Sequence, residues 1–474
     1  MQTFAMTLAG APALSGHWQA VINPATGQAF AQVALGSPAH VDQAVAAARA
    51  AFPGWSALPD GERQRLLHAL ADLLDTHADT LMHLLTLESG KPLAGLGQVG
   101  SGMEVGGAVA WTRYTASQEI AHERIQDDAD IRVEVRRKPL GVVGSITPWN
   151  WPLMIAIWHI MPALRAGNTV VIKPAPTTPV ATLHFVALAS QLLPAGVLNC
   201  VTGDGEVGAA MARHPDIDKL VFTGSTPTGR LIMRDAANRL KRLTLELGGN
   251  DAGIVLADAD PRRHAPALFA AALHNNGQTC ACLKRLLLPD TLYEAFCAEF
   301  VRLAEQVVVG DGLDPASELG PLQNPAQRAL VATLVDDARQ QGARVLTGGH
   351  ALARDGYFYA PTVIADARPG MRVVDEEQFG PVLPLIRYHS LDEAIALANA
   401  GDFGLGGSVW SDHPEHAATV ASQLACGTAW VNTHGAVQPD APFGGVKQSG
   451  LGVAFGAQGL DAYSSLQTLK VMKR

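Results

Sequence analysis

The stretch GVVGSITPWNWPLMIAIWHIMPALRAGNTVVIK, residues 141–173, decides the fold. Residues 141–146 form a short apolar run, as a strand covered on both faces requires. Residues 153–164 carry apolar side chains at three- and four-residue spacing and predict a helix; 169–172 predict the next strand. The rhythm continues with helix 180–193, strand 197–201, helix 207–214, strand 219–222, helix 229–237 and strand 243–246. Strands alternating with helices across short loops predict a doubly wound parallel sheet. A second series of the same kind runs from near Ala252 to about Val431.

Upstream, residues 22–33 predict two short strands around a Pro-Ala-Thr-Gly turn, followed by helices at 39–52, 60–77 and 93–117. Residues 119–138 are charged, alternate at Ile131, Val133 and Val135, and suit an exposed hairpin, a candidate pairing surface for another subunit. A chain of 474 residues is too long for one core, so two or three domains are expected. With 48% hydrophobic and 17% charged residues there is no sign of bulk disorder. A net charge of -9 argues against nucleic acid or an anionic membrane as partner. The first ten residues lack the features of a signal peptide, and five cysteines, an odd number, suit a reducing compartment. A cytoplasmic protein is expected.

Ligands of an open parallel sheet bind beyond the carboxyl ends of its strands. There the sequence places Thr147-Pro148-Trp149-Asn150, Lys173-Pro174-Ala175-Pro176, Thr223-Gly224-Ser225 and Glu246-Leu247-Gly248-Gly249. Gly203 to Gly208 matches G-x-G-x-x-G, but the match stands alone, and no acidic residue follows at the expected distance. Asn275-Asn276-Gly277-Gln278-Thr279-Cys280 lies between a helical run and a strand, where a thiol can face a cleft. A lone cysteine is more often a small packing residue. As a nucleophile, however, it exceeds Ser or Thr, because part of it is thiolate near neutral pH.

Seven signals stand in one order: Pro148-Trp149-Asn150, Lys173-Pro174, Phe222-Thr223-Gly224-Ser225, Glu246-Leu247-Gly248-Gly249, Gly277-Gln278-Thr279-Cys280, Glu377-Gln378-Phe379-Gly380-Pro381 and Pro442-Phe443-Gly444-Gly445-Val446-Lys447. Together they resemble the NAD(P)-dependent aldehyde dehydrogenase superfamily over essentially the whole chain. The resemblance implies an α/β fold with a Rossmann-type dinucleotide-binding domain at 1–118 and 139–247. It also implies an α/β catalytic domain at 248–448 and a small β oligomerisation element from 119–138 and 449–474, giving a homodimer or homotetramer.

It further implies that Cys280 attacks an aldehyde carbonyl, that Asn150 and the Cys280 N–H hold the oxyanion, and that Glu246 activates water against the thioester. Lys173 would bind the adenosine ribose, Gly224 and Ser225 the pyrophosphate, and Glu377 the nicotinamide ribose, with Phe379 beside the nicotinamide. Gly205 would line the adenine end; Thr147, Pro148, Trp149, Phe222, Thr223, Thr228 and Leu247 complete the cofactor set.

Three departures stand out. Pro176 occupies a place where NAD-specific relatives often carry Glu, so NAD is expected first and NADP is open. His159 and Ala454 stand where many relatives have a Lys and a Glu that relay protons from Glu246. The expected substrate walls are Trp151, Ile155, Trp158, Thr279, Ala281, Val437 and Phe443. They favour an apolar or aromatic aldehyde over a carboxylate-bearing one, while an indole face can also hold a cationic amine. His434 and Asp440 are expected in the loop that closes the entrance. Cys282 reads as a packing residue, with a disulfide to Cys280 as the sharper alternative. The rivals are an aminoaldehyde or semialdehyde dehydrogenase, a CoA-acylating relative, against which Glu246 argues, and a non-catalytic binding protein. No metal is implied.

Overall fold

The computed structural model describes residues 1–473 and carries two large sheets with helices on their faces. At the centre of the first sheet, five parallel strands lie in the order Arg242–Glu246, Lys219–Thr223, Val142–Ile146, Thr169–Lys173, Leu198–Cys200. The chain order reverses beside Val142–Ile146, which opens a crevice at its carboxyl end. Four of these strands, Val142–Ile146, Thr169–Lys173, Lys219–Thr223 and the short Leu198–Cys200, are buried along their whole length, as strands covered on both faces are. Short antiparallel strands close both edges: Met6–Leu8 pairs with Leu198–Cys200, and Gly450–Leu451 with Arg242–Glu246.

The second sheet has seven strands, with Leu283–Pro289 and Asp251–Val255 in its middle. Its active edge is the reverse of the first sheet's. Cys280 and Glu377 precede their strands, Leu283–Pro289 and Val382–Tyr388, so the amino ends of this sheet face the carboxyl ends of the first. The hairpin Glu123–Asp127 and Ile131–Pro139 forms as expected, and Ser464–Met472 pairs antiparallel with its second strand along nine residues. Leu466 and Met472 are exposed on that last strand.

Two elements differ from expectation. A helix at Ala78–Ser89 follows His77 directly, its buried Leu81, Leu84 and Leu85 facing the core, and the sequence reading missed it. The next helix starts at Ser101 rather than Leu93, because Gly95 and Gly97 adopt left-handed backbone and interrupt the turn.

Candidate active site

The loop before Cys280 is unusual backbone. Asn275, Asn276 and Gly277 all have positive φ, at 50°, 58° and 74°. Asparagine tolerates this region better than most residues, and at Gly277 a Cβ would lie against the Gly380 carbonyl. Each Asn is pinned by its amide: Asn275 Nδ2 donates to the Asn150 carbonyl at 2.9 Å, and Asn276 Nδ2 to the Gly320 carbonyl at 2.9 Å. The turn delivers Cys280 to the boundary between two cavities.

One cavity, of about 430 Å³, is almost wholly apolar. All seven expected substrate-wall residues line it: Trp151, Ile155, Trp158, Thr279, Ala281, Val437 and Phe443. Met103, Trp111, Met154 and His274 also line it and were missed. Met103 and Trp111 lie on the helix Ser101–Ser117, whose sequence shows only ordinary amphipathic spacing. Trp111, Trp158 and Phe455 pack ring to ring at 4.7–5.6 Å.

The other cavity, of about 270 Å³, holds Pro148, Trp149, Asn150, Thr223, Gly224, Ser225, Leu247, Glu377 and Phe379. Gly248, one of the strand-end residues named from the sequence, also belongs to it, as do Gln327 and Leu330, which were not foreseen. Cys280 is the residue that lines both cavities. The helix Thr226–Ala237 points its amino end at this cleft, and Ser225 at its cap bonds Thr228 Oγ1 at 3.0 Å rather than a helix N–H. Free N–H groups, a carboxylate at Glu377 and the ring of Phe379 suit a dinucleotide. Lys173, Pro176, Gly205, Phe222, Thr228 and Thr147 do not line this cavity. Lys173 is buried, donates to the Pro174 carbonyl at 3.1 Å, and burial lowers its pKa to about 8. Thr147 is also buried, its hydroxyl unpaired. Gly205 opens a helix with empty space where a Cβ would point, and Phe222 lays its ring under Gly224.

Asn150 is buried and firmly held. Its carbonyl accepts from Lys91 Nζ at 3.1 Å and from Asn275, while its side-chain amide donates to the Gln278 carbonyl at 2.9 Å. Lys91 is itself buried in an ion pair with Glu104 and lies 3.4 Å from the centre of the Trp151 ring. Glu104 in turn accepts from the N–H groups of Leu153 and Met154 at the start of their helix.

Glu246 is buried, neither carboxyl oxygen has a hydrogen bond, and burial raises its pKa well above the ordinary carboxyl value. It faces neither cavity lined by Cys280. Its carboxyl meets a third, small cavity with Trp158, His159, Thr244, Ala454 and Tyr463. His159 is locked between Ser145 Oγ at 2.9 Å and Thr223 Oγ1 at 3.0 Å, and burial pushes its pKa down to about 3. His434 lines the apolar cavity with its neighbours Asn432 to Val437, its side chain buried, bonded to Ser408 Oγ at 2.9 Å and 3.4 Å from Asp251. Asp440 is exposed and accepts from Gln438 at 2.8 Å. Cys282 is buried, its thiol donating to the His274 carbonyl at 3.2 Å. Burial raises the Cys280 pKa to about 12, with the Lys284 ammonium working against that rise. Among the described residues no cluster has the makings of a metal site, and no helix is long and apolar enough to cross a membrane.

Comparison with known proteins places these features. The pattern of the Aldehyde dehydrogenase family matches residues 13–469. A phenylacetaldehyde dehydrogenase of Pseudomonas fluorescens is 39% identical over 465 residues, covering 95% of this chain and 92% of its own. Retinal dehydrogenase 2 of Homo sapiens is 40% identical over 466 residues, with 96% and 89% covered. The NAD+ complex of an aldehyde dehydrogenase from Bacillus cereus superposes with a TM-score of 0.96 at 36% identity, covering 100% of this chain and 97% of that one.

Proposed function

The chain belongs to the aldehyde dehydrogenase family, and from that premise we propose that it oxidises an apolar or aromatic aldehyde to the carboxylic acid with NAD, NADP remaining a second cofactor. The observation that carries this reading is the position of Cys280, the one residue that an apolar cavity and a nucleotide-shaped cleft have in common. Cys280 attacks the aldehyde carbonyl, and the Asn150 amide with the Cys280 N–H stabilises the oxyanion of the thiohemiacetal. When bound, the nicotinamide dinucleotide supplies the hydride acceptor. Ser225 and its helix end would receive the pyrophosphate, Glu377 would hold a ribose, and Phe379 would flank the nicotinamide, all three lining the same cleft. Glu246, a carboxyl that has no hydrogen bond of its own and lines the small cavity, deprotonates the water that hydrolyses the thioester, a role that requires its side chain to turn toward Cys280.

The absence of a cationic side chain from the apolar walls supports a neutral aldehyde over a semialdehyde. Sheet pairing of residues 131–139 with 464–472 supports an oligomerisation element separate from a dinucleotide-binding and a catalytic domain. The test is reduction of NAD and NADP by purified protein across aliphatic, aromatic, amino- and carboxy-aldehydes, with Cys280→Ala beside it. Turnover of aromatic or medium aliphatic aldehydes, lost in the variant, is expected. Silence across the panel, or preference for a charged aldehyde, would overturn the reading.

A further inference from the structure

Lys284 lies four residues beyond Cys280, at the start of the strand Leu283–Pro289, where the sequence shows only a charge beside an apolar run. Its side chain turns inward, and only 2% of it is exposed. The ammonium donates to the Thr279 carbonyl at 2.8 Å and to the Cys280 carbonyl at 2.5 Å, and pairs with Glu377 Oε1 at 3.1 Å. Three donors meet three acceptors, so nothing on this nitrogen is left over. One atom therefore ties the main chain of the reactive thiol to the carboxylate of the neighbouring cleft.

We propose that Lys284 is a positioning residue for Cys280, a buried counter-charge that favours the thiolate and links its state to Glu377. The proposal deepens the dehydrogenase reading, since it concerns the nucleophile of that site, but its test needs no aldehyde.

Burial makes ionisation of Cys280 costly. The charged and titratable groups that act on it are Lys284, Glu377, Glu246 and Asp251. Three of the four are acids, and Lys284 is the cation among them. Glu246 is raised in pKa by burial, and Asp251 has His434 beside it and the Gly406 N–H on its other oxygen at 3.0 Å. Around Lys284 itself stand Glu377, Cys282, Asp251 and Cys280. Burial works to discharge the ammonium, yet those neighbours together outweigh it and hold its pKa above the ordinary value. A lysine that stays charged while buried beside a thiol is a built-in electrostatic term, and Glu377 is its counterweight.

The two partners must then act on the thiol in opposite directions. Lys284→Met keeps the length and removes the charge; Glu377→Gln keeps the shape and leaves the cation uncompensated. The experiment measures the rate of Cys280 alkylation by iodoacetamide against pH, without cofactor, reading the adduct by peptide mass spectrometry, with circular dichroism as a check on folding. Relative to parent, the midpoint in Lys284→Met should rise by about one pH unit, the order of effect of losing one nearby opposite charge. In Glu377→Gln it should fall. A general loosening of the site cannot give opposite shifts. If Lys284→Met does not fold, Lys284→Gln takes its place with the same rise expected, and an unmoved midpoint in the lysine variant overturns the proposal, because loss of the Glu377 charge lowers the midpoint by itself. Midpoints that stay put in Glu377→Gln, or move the same way in both variants, overturn it. An alkylation result of either kind stands apart from the aldehyde panel, so failure of one is not failure of the other.

Discussion

The sharpest prediction concerns Asn150→Ala, because the structure separates what holds this residue from what it does. Its main-chain carbonyl is fixed by Lys91 at 3.1 Å and by Asn275 at 2.9 Å, and the truncation touches neither bond. The side-chain amide makes one bond, to the Gln278 carbonyl at 2.9 Å, and that acceptor also receives Asn275 Nδ2 at 3.3 Å. Losing one such bond costs about 1 kcal/mol of stability. The remaining amide N–H is one of two donors proposed for the oxyanion. Removing one donor of such a pair costs about 2.7–4 kcal/mol at the transition state, roughly 10²–10³ in kcat.

The oxyanion exists only once the thiol has attacked, so kcat should fall and KM should hardly move. Initial rates of NADH formation at saturating cofactor give both constants, and urea denaturation gives the stability change. A kcat within about tenfold of parent would refute the assignment. So would a loss carried by KM, or a destabilisation large enough to explain the activity.

Five further outcomes are expected. Glu246→Gln should give one burst of NADH per site and then stall, as quenched-flow measurement would show. Because burial raises the Glu246 pKa, the native state holds its proton above the pH where the unfolded chain has lost it. Stability therefore falls as pH rises from about 4.5 toward the native pKa, and urea midpoints of Glu246→Gln should lose that slope. Lys91→Met breaks a fully buried ion pair and should cost about 3–5 kcal/mol; adding Glu104→Gln should recover part of it in a double-mutant cycle. Pro176→Glu should cut kcat/KM for NADP at least about tenfold while sparing NAD, by placing a carboxylate where a 2′-phosphate would sit; equal loss with both cofactors would show that Pro176 is remote from the ribose. Cys282→Ser should be inactivated by peroxide as fast as parent, since Cys282 is buried with its thiol on the His274 carbonyl.

Much of this was legible because it is local. The strands Val142–Ile146, Thr169–Lys173 and Lys219–Thr223 announce themselves by apolar runs, since both their faces are covered. The loops after the first and last of these carry Asn150 and Ser225, and Glu246 ends the next strand, Arg242–Glu246. What stayed hidden depends on distant segments meeting. Trp111 faces the apolar cavity because its helix crosses the helix Pro152–Arg165, and no spacing within residues 101–117 says which face does so. Lys284 drew no notice in the sequence; it turns inward onto the nearby Thr279 and Cys280 carbonyls and onto the Glu377 carboxylate, ninety-three residues on. His434 does line the apolar cavity, but its partners Ser408 and Asp251, on neighbouring strands, could not be read from the sequence around it.

The facing of Glu246 bears on how the proton leaves. A base that serves Cys280 must give its proton up elsewhere, and the small cavity behind it is lined by Trp158, His159, Thr244, Ala454 and Tyr463. His159 is the obvious acceptor by residue type, yet burial holds it neutral, with both ring nitrogens engaged by Ser145 and Thr223. It can pass a proton only by exchanging tautomers along that chain, never by storing one as imidazolium. Glu246 is then the store, and its own raised pKa should set the one rising limb of the deacylation profile. In single-turnover measurements across pH 5–9, His159→Gln should slow deacylation and leave the midpoint of that limb unmoved. A second limb near the ordinary histidine value of about 6.5, present in parent and lost in His159→Gln, would show that the imidazole takes the charge and that its burial does not hold during turnover.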